Sequence, residues 1–441
     1  MSFIPELNYS LFKKRREEVL SFIRQENPDL KNGLIILFAD FENDRHVFRQ
    51  ESSFFYLTGI TEPGAILCMY LDGTQVLYLP NYGGIREQWT KTFCGAKDDW
   101  KKLEQKFGVT QIKYLGQPCG GFSFNPVFSK EKYENLLMDF NSFLSDVARR
   151  KEKFEAFTLL DDMGPRYFAQ IRFFRLLIDI FPELGKVTRD LAPLVHYLRR
   201  FKSEYEIDSI FKSAQITTFA HQAAARVIKP GRIEYEVQAI IESVFTQSGA
   251  AGPAFPSIVA SGKNSTILHY TKRDKELKDG ELVVVDIGAE HFYYAADLTR
   301  TYPVSGKFTD RQRQIYDAVL ETQSYVESVA KPGIFIHNKE LPEKSLHHLA
   351  VKFLEKKDLS QYVAHGIGHF LGLDVHDVGD NTYPLSAGDV FTIEPGLYIP
   401  QEDLGIRIED NYLMTDEGVV CLSFQLPRQA EEIEKLMREE F

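Results

Sequence analysis

Two short apolar runs, each ending abruptly on a carboxylate, constrain this chain more than any other feature. Leu282-Val283-Val284-Val285 is a buried-strand signature that stops at Asp286, and Val390 to Ile393 is a second that stops at Glu394-Pro395-Gly396. Tyr293 to Tyr302 and Ile406 to Met414 are the partner strands the pattern offers. A first hairpin centred between His291 and Phe292 would set Asp286 directly opposite Asp297. A second, centred between Gln401 and Glu402, would set Glu394 opposite Glu409, although Pro395, Gly396 and Pro400 disturb a regular ladder there. Opposed residues on one face have Cβ atoms about 4.5–5.5 Å apart, where like charges destabilise a sheet. A raised pKa on one partner or a bound cation must then offset them. Taken singly, Asp286 reads as a strand end and Asp297 as a loop start, and a bulge would separate them.

Alternation places Arg407 on the same face as Glu409, where it can hold or charge-balance that carboxylate; an exposed ion pair is the plainer alternative. Between the acid pairs lie His365-Gly366-Ile367-Gly368-His369 and Asp374-Val375-His376-Asp377, so three of eleven histidines fall close together. The glycines argue against a regular helix, and no Glu follows the first His, which excludes the HExxH zinc-peptidase motif. A loop or strand that approaches a ligand closely suits glycine better. One such histidine is more often structural, but three beside four carboxylates indicate a site. Four carboxylates and one imidazole make a hard, oxygen-rich set that favours Mn²⁺, with Co²⁺ or Zn²⁺ as alternatives. Two divalent ions would neutralise the carboxylates and leave room for a bridging hydroxide.

At 441 residues the chain exceeds what one core usually organises, so two domains are expected, at 1–188 and 189–441. The net charge of -11 with no long basic cluster argues against a nucleic-acid binder. No apolar stretch reaches membrane-spanning length, and Met1 to Ser10 lacks a signal-peptide pattern. Cys68, Cys94, Cys119 and Cys421 are scattered, which disfavours a zinc ribbon or disulfide scaffold and suits a reduced, cytoplasmic protein. The N-terminal part reads as α/β: a helix over Leu11 to Gln25, a buried strand over Leu34 to Ala39, and a hairpin of Ala65 to Leu71 with Thr74 to Pro80 around a type I′ Asp72-Gly73 turn. Lys130 to Leu184 reads as helical, with the aromatic stretch Tyr167 to Phe181 as core. Two more helices are expected over Ser203 to Ile228 and Ile233 to Gln247.

Ile267-Leu268-His269-Tyr270, Asp286-Ile287-Gly288 through Asp297-Leu298-Thr299-Arg300-Thr301, His365-Gly366-Ile367-Gly368-His369, Glu394-Pro395-Gly396 and Arg407-Ile408-Glu409 together resemble the Xaa-Pro aminopeptidase and prolidase family, from about Phe201 to Met437. Phe48-Arg49-Gln50 and Thr61-Glu62-Pro63-Gly64 resemble that family's N-terminal domain. The resemblance implies a creatinase-like α/β N-terminal domain followed by an α+β pita-bread catalytic domain of two pseudo-symmetric halves. It implies two divalent ions, with Asp286 on one, His369 and Glu394 on the other, and Asp297 and Glu409 bridging both. It places His269, His365 and His376 on the substrate or tetrahedral intermediate, Arg407 among the catalytic residues, and Glu394 as proton acceptor for the nucleophilic water. The implied substrates are peptides with proline second, cleaved before the proline. A prolidase confined to dipeptides is the alternative, and the short Glu394 to Arg407 segment leans towards the aminopeptidase. Related pita-bread binding modules lack the metal ligands, whereas all five are present here. Phe255 stands where some relatives carry a tyrosine near the metals. Trp89 lies in a stretch that in some relatives lends an aromatic to a neighbouring subunit, in keeping with a homodimer or homotetramer.

Overall fold

The apolar runs of the N-terminal part assemble into a mixed six-stranded sheet flanked by helices. The computed structural model describes residues 7–42, 47–82, 99–118, 130–160 and 167–439; Trp89, Cys94 and Cys119 lie outside them. The chain divides into two compact units, Met1–Leu198 and Arg199–Phe441. The first carries helices α1 (Tyr9–Glu26), α2 (Ser52–Thr58), α3 (Trp100–Phe107), α4 (Glu134–Arg150), α5 (Phe168–Ile180), α6 (Pro182–Val187) and all but the last two residues of α7 (Ala192–Arg200). Its strands are β1 (Asn32–Phe38), β2 (Ile66–Tyr70), β3 (Gln75–Leu79), β4 (Gln111–Tyr114), β5 (Phe154–Thr158) and β6 (Thr188–Asp190), in the order β4-β3-β2-β1-β5-β6.

Two expectations change here. Lys130 to Leu184 is not helical throughout: β5 interrupts it and pairs in parallel with β1, because Phe154-Glu155-Ala156-Phe157-Thr158 buries its length beside that central strand. The β2–β3 loop is not a two-residue type I′ turn. Tyr70 pairs across to Thr74, so three residues turn the chain, and only Gly73 has a positive φ (100°). A three-residue loop closed by a left-handed glycine is the next commonest hairpin solution. The side-chain amide of Gln50, from the Phe48-Arg49-Gln50 motif, accepts from the Asp40 amide and donates to the carbonyls of Ile60 and Glu62, lacing two loops together.

The second unit holds helices α8 (Glu204–Val227), α9 (Glu234–Gln247), α10 (Asp310–Val329), α11 (Leu346–Glu355) and α12 (Ala430–Arg438). α8 begins where expected because Ser203 and Glu206 form a capping box that satisfies free amides of the first turn. The strands are β7 (Gly252–Pro253), β8 (Ile258–Ser261), β9 (Leu282–Ile287), β10 (Ala289–His291), β11 (Tyr294–Ala295), β12 (Leu298–Pro303), β13 (Val390–Ile393), β14 (Gly396–Ile399), β15 (Leu404–Arg407), β16 (Asp410–Thr415) and β17 (Gly418–Cys421). They form the sheets β11-β10-β7, β12-β9-β8, β13-β16-β17 and β14-β15.

The first acid hairpin differs from expectation by a defined amount. Asp286 pairs with Thr299, not Asp297. The turn is Phe292-Tyr293, with φ of 50° and 70°, one residue later than the sequence pattern suggested. Moving a turn by one residue moves every pair by two, which preserves the face and changes the partner. Asp286 and Asp297 therefore remain on one side of the sheet as diagonal neighbours. The second hairpin keeps the expected register on both sides of the acids: Ile393 pairs with Asp410 and Gly396 with Arg407. Its ladder breaks in between, at Glu394-Pro395 and Ile408-Glu409.

Candidate metal centre

That break joins the two hairpins. With no β14–β15 or β13–β16 partner, the Glu409 backbone turns to β12: its amide donates to the Thr299 carbonyl (3.0 Å) and the Thr299 amide donates back to the Glu409 carbonyl (3.4 Å). Side chains of Thr299-Arg300-Thr301 reinforce the seam. Thr299 Oγ1 donates to Glu409 Oε2 (2.7 Å), buried Arg300 donates to the Glu409 carbonyl (2.8 Å) and to Asp410 (2.8 Å), and Thr301 Oγ1 donates to the Arg407 carbonyl (3.0 Å). Asp297 is fixed by Asn411, whose side-chain amide donates to its carbonyl (2.6 Å) and accepts from its N–H (3.2 Å).

The histidine motif runs alongside β13, with the Thr392 amide donating to the His369 carbonyl and the Glu394 amide to the Ile367 carbonyl, both at 2.9 Å. A Cβ on Gly368 would lie 2.0 Å from the Thr392 carbonyl oxygen, so this approach is open only to glycine. A carbonyl can only accept, so the 3.0 Å contact from His369 Nδ1 to Phe370 O puts the proton on Nδ1. His369 Nε2 is thereby a free lone pair facing Asp297 (3.4 Å) and Glu394 (3.6 Å).

The structure thus gathers Asp286, Asp297, His369, Glu394 and Glu409 around one point of the second unit. Ligand atoms of Asp297, His369 and Glu409 lie within 4.8 Å of one another. Asp286 and Glu394 flank them: Asp286 is held by Arg407 (2.5 Å), and Glu394 lies between His369 and His365 Nδ1 (3.5 Å). Arg407 was expected to serve Glu409. Its ion pair is instead with Asp286, while Glu409 takes the Thr299 hydroxyl. Losing one partner of such a buried pair costs about 3–5 kcal/mol.

The electrostatics fit a cation. Burial, then the charges of neighbouring acids, hold the Asp297 and Glu409 carboxyls well above the usual carboxylate range. Asp286 Oδ1, Asp297 Oδ1 and Glu409 Oε1 are buried and accept no hydrogen bond among the described residues. Three orphaned carboxylate oxygens beside a free imidazole lone pair are what divalent ions satisfy.

Around this cluster, Tyr398 hydroxyl accepts from Arg407 (2.6 Å) and so directs its own proton to His365 Nε2 (2.8 Å). Burial, then Arg407, pushes the His365 pKa down to about 4, which keeps the ring neutral. His376 is exposed and packs over His369 with ring centroids 4.1 Å apart. His269 is exposed, just beyond a turn that Ser265 fastens to β15 by accepting from the Gly405 amide (2.8 Å). The Phe255 ring lies against Gly288, where a Cβ would come within 2.9 Å of it. Sequence reasoning singled out Asp297, His365 and Arg407 but missed what holds them: Asn411, Tyr398 and Thr299. Their only sequence signal is a polar side chain interrupting an apolar strand pattern.

Residues 208–416 match Metallopeptidase family M24, and residues 12–118 match Aminopeptidase P, N-terminal domain. The Xaa-Pro aminopeptidase of Haemophilus influenzae is 32% identical over 465 residues, covering 99% of each chain, and that of Escherichia coli is 30% identical, covering 98% of this chain and 99% of the relative. Human Xaa-Pro dipeptidase is 26% identical, covering 97% and 93%. Among solved structures, Escherichia coli aminopeptidase P in complex with substrate superposes with a TM-score of 0.79 at 28% identity, covering 98% and 99% of the two chains. Proline aminopeptidase P II from Yersinia pestis gives 0.78 at 29% identity, with the same coverage. With its two domains matched in order and full-length relatives at 30% identity and above, the chain belongs to metallopeptidase family M24, among the Xaa-Pro aminopeptidases, and is a hydrolase of aminopeptidase P-like, pita-bread fold.

Proposed function

We propose that this chain removes the N-terminal residue from peptides whose second residue is proline, using two divalent ions held by Asp286, Asp297, His369, Glu394 and Glu409. The observation that carries this reading is the set of orphaned carboxylate oxygens converging with His369 Nε2. The ions would supply Lewis-acid polarisation of the scissile carbonyl and a water acidic enough to attack at neutral pH. The oxygen-rich donor set favours manganese.

The chain's own groups do the rest. Glu394, with a carboxyl raised above its ordinary pKa chiefly by burial, can accept a proton and pass it on. His365 Nδ1 lies 3.5 Å from Glu394 Oε2, and its neutral ring is oriented from behind by Tyr398. The ring's Nδ1–H is turned to the Gly366 carbonyl (2.8 Å) and its Nε2 accepts from Tyr398, so His365 is oriented beside Glu394 while Glu394 itself carries that proton towards the leaving proline nitrogen. Arg407 pairs with Asp286 and holds it aligned. His376, exposed and packed over His369, and His269, also exposed, are the histidines assigned to contact substrate. The bond before proline lacks an N–H, so a site that binds extended peptide through that donor would lose it, and a dedicated site is required.

The tight β14–β15 hairpin, in which Ile399 pairs with Leu404, and the higher identity to aminopeptidases than to dipeptidases both favour longer substrates. Mn²⁺-loaded protein is expected to cleave Ala-Pro-Ala tripeptides as well as Ala-Pro. Hydrolysis of the dipeptide alone would replace this reading with a prolidase. The two described cysteines, Cys68 and Cys421, are both free thiols, which supports placement in a reducing cytoplasm.

A further inference from the structure

A second group of metal-capable side chains lies outside the carboxylate cluster. His337 follows the buried run Ile334 to Ile336, and His347 and His348 stand in the first turn of α11. Backbone bonds lace the two segments together: the Phe335 amide to Lys344 O (2.8 Å), the Leu346 amide to Phe335 O (2.9 Å) and the His347 amide to Ile336 O (3.0 Å). The three rings form a nearly equilateral triangle, with centroids 5.0, 5.1 and 5.4 Å apart. Zinc bonds imidazole nitrogen at about 2.0–2.1 Å in tetrahedral geometry, which sets the ring centres of two ligands about 5.2 Å apart. We propose that His337, His347 and His348 form a Zn²⁺ site built of three imidazoles, separate from the carboxylate cluster.

Ring packing alone also gives separations of about 4.5–7 Å, so the spacing needs support, and three observations supply it. The rings of His337 and His347 make no hydrogen bond among the described residues, which leaves their nitrogens available. Ser345 Oγ, which accepts from the Asn338 amide (3.1 Å), lies 2.8 Å from His348 Nδ1 and fixes that ring as a bound carbonyl or hydroxyl does for metal-ligating histidines. Burial and mutual repulsion lower the pKa of His337, and bring that of His347 to about 4, so both rings are in the neutral, metal-binding form at pH 7. The ring nitrogens do not converge as the ligand atoms of Asp297, His369 and Glu409 do, so coordination requires the rings to turn about χ1 and χ2. All three are half-buried, which leaves an ion a route from solvent. A set with no carboxylate prefers zinc, copper or nickel over manganese, the opposite of the main site.

The test is Zn²⁺ titration, against a chromophoric chelator, of full-length protein carrying Asp297→Ala and Glu409→Ala, with and without His337→Ala and His347→Ala. One equivalent is expected to bind in the first and to disappear in the second. Co²⁺ in place of zinc should give the visible absorption of a tetrahedral complex only where the triad is intact. Ser345→Ala should weaken binding by about 10-fold or more. Equal stoichiometry with and without the two histidines would make the triad a packing cluster only and overturn the proposal. His347→Gln, which keeps most of the side-chain volume, decides the same question if the alanine variant fails to fold by circular dichroism.

Discussion

The two acid hairpins of the second unit solve one problem in different ways. In the first, β9 is paired on both sides, by β8 and β12, and Asp286 projects from that ladder while Asp297 sits in the short gap before β12, with the register carried across it. In the second, the ladder fails at the acids themselves, because Pro395 has no N–H to donate and Gly396 tolerates the bend. The regular hairpin gives rigidity. The broken one gives connection, since only an unpaired Glu409 backbone can reach across to Thr299. The difference teaches that the irregular strand is the joint of the site, and that a carboxylate lost from either hairpin should be felt by both.

The largest effect tests that equivalence. Asp297→Ala and Glu409→Ala should each lower turnover by about 10³-fold or more, several kcal/mol of transition-state stabilisation, with far-UV circular dichroism unchanged. Full activity in either would break the two-metal assignment. Next come the motif glycines. Gly368→Ala, which drives a Cβ against Thr392 O, should cost about 3 kcal/mol in urea unfolding. Gly366→Ala, which meets nothing within 4 Å, should stay within about 0.5 kcal/mol. Thr299→Val removes only the hydroxyl that crosses the seam, and should weaken Mn²⁺ binding by about 10–100-fold in calorimetry, as losses behind a ligand do. The smallest effect is pH-dependent. Glu409 has its pKa raised by folding, so it binds a proton more tightly in the folded state; in metal-free protein its contribution falls as pH rises above the unfolded value of about 4.3. Glu409→Gln should therefore gain thermal stability over wild type as pH climbs from 5 towards 8, and saturating Mn²⁺ should erase the gain.

Which residues share a face was legible from strand parity alone, because parity survives a turn displaced by one residue. Which residues stand opposite was not: Phe292 and Tyr293 both adopt positive φ, a conformation their bulky side chains disfavour and tertiary packing imposes. The reverse held in the second hairpin, where Pro395 and Pro400 seemed to forbid a ladder, yet the register carried through on both sides. The N-terminal sheet was legible as α/β but not in full, since β5 owes its state to the neighbouring β1 rather than to its own propensity. The partner of Arg407 was hidden for a related reason. Alternation gives direction within one strand, whereas Asp286 comes from another strand 121 positions away in sequence.

The reciprocal amides of Thr299 and Glu409 also bear on kinetics. Neither hairpin can fray without releasing a hydrogen bond held by the other, so hydrogen exchange at these two amides should report one shared opening rather than two local ones. An ion held across the seam, as proposed above, would not escape through partial melting of one side, and its residence time would follow how often the whole unit opens, making retention a property of folding cooperativity as much as of ligand chemistry.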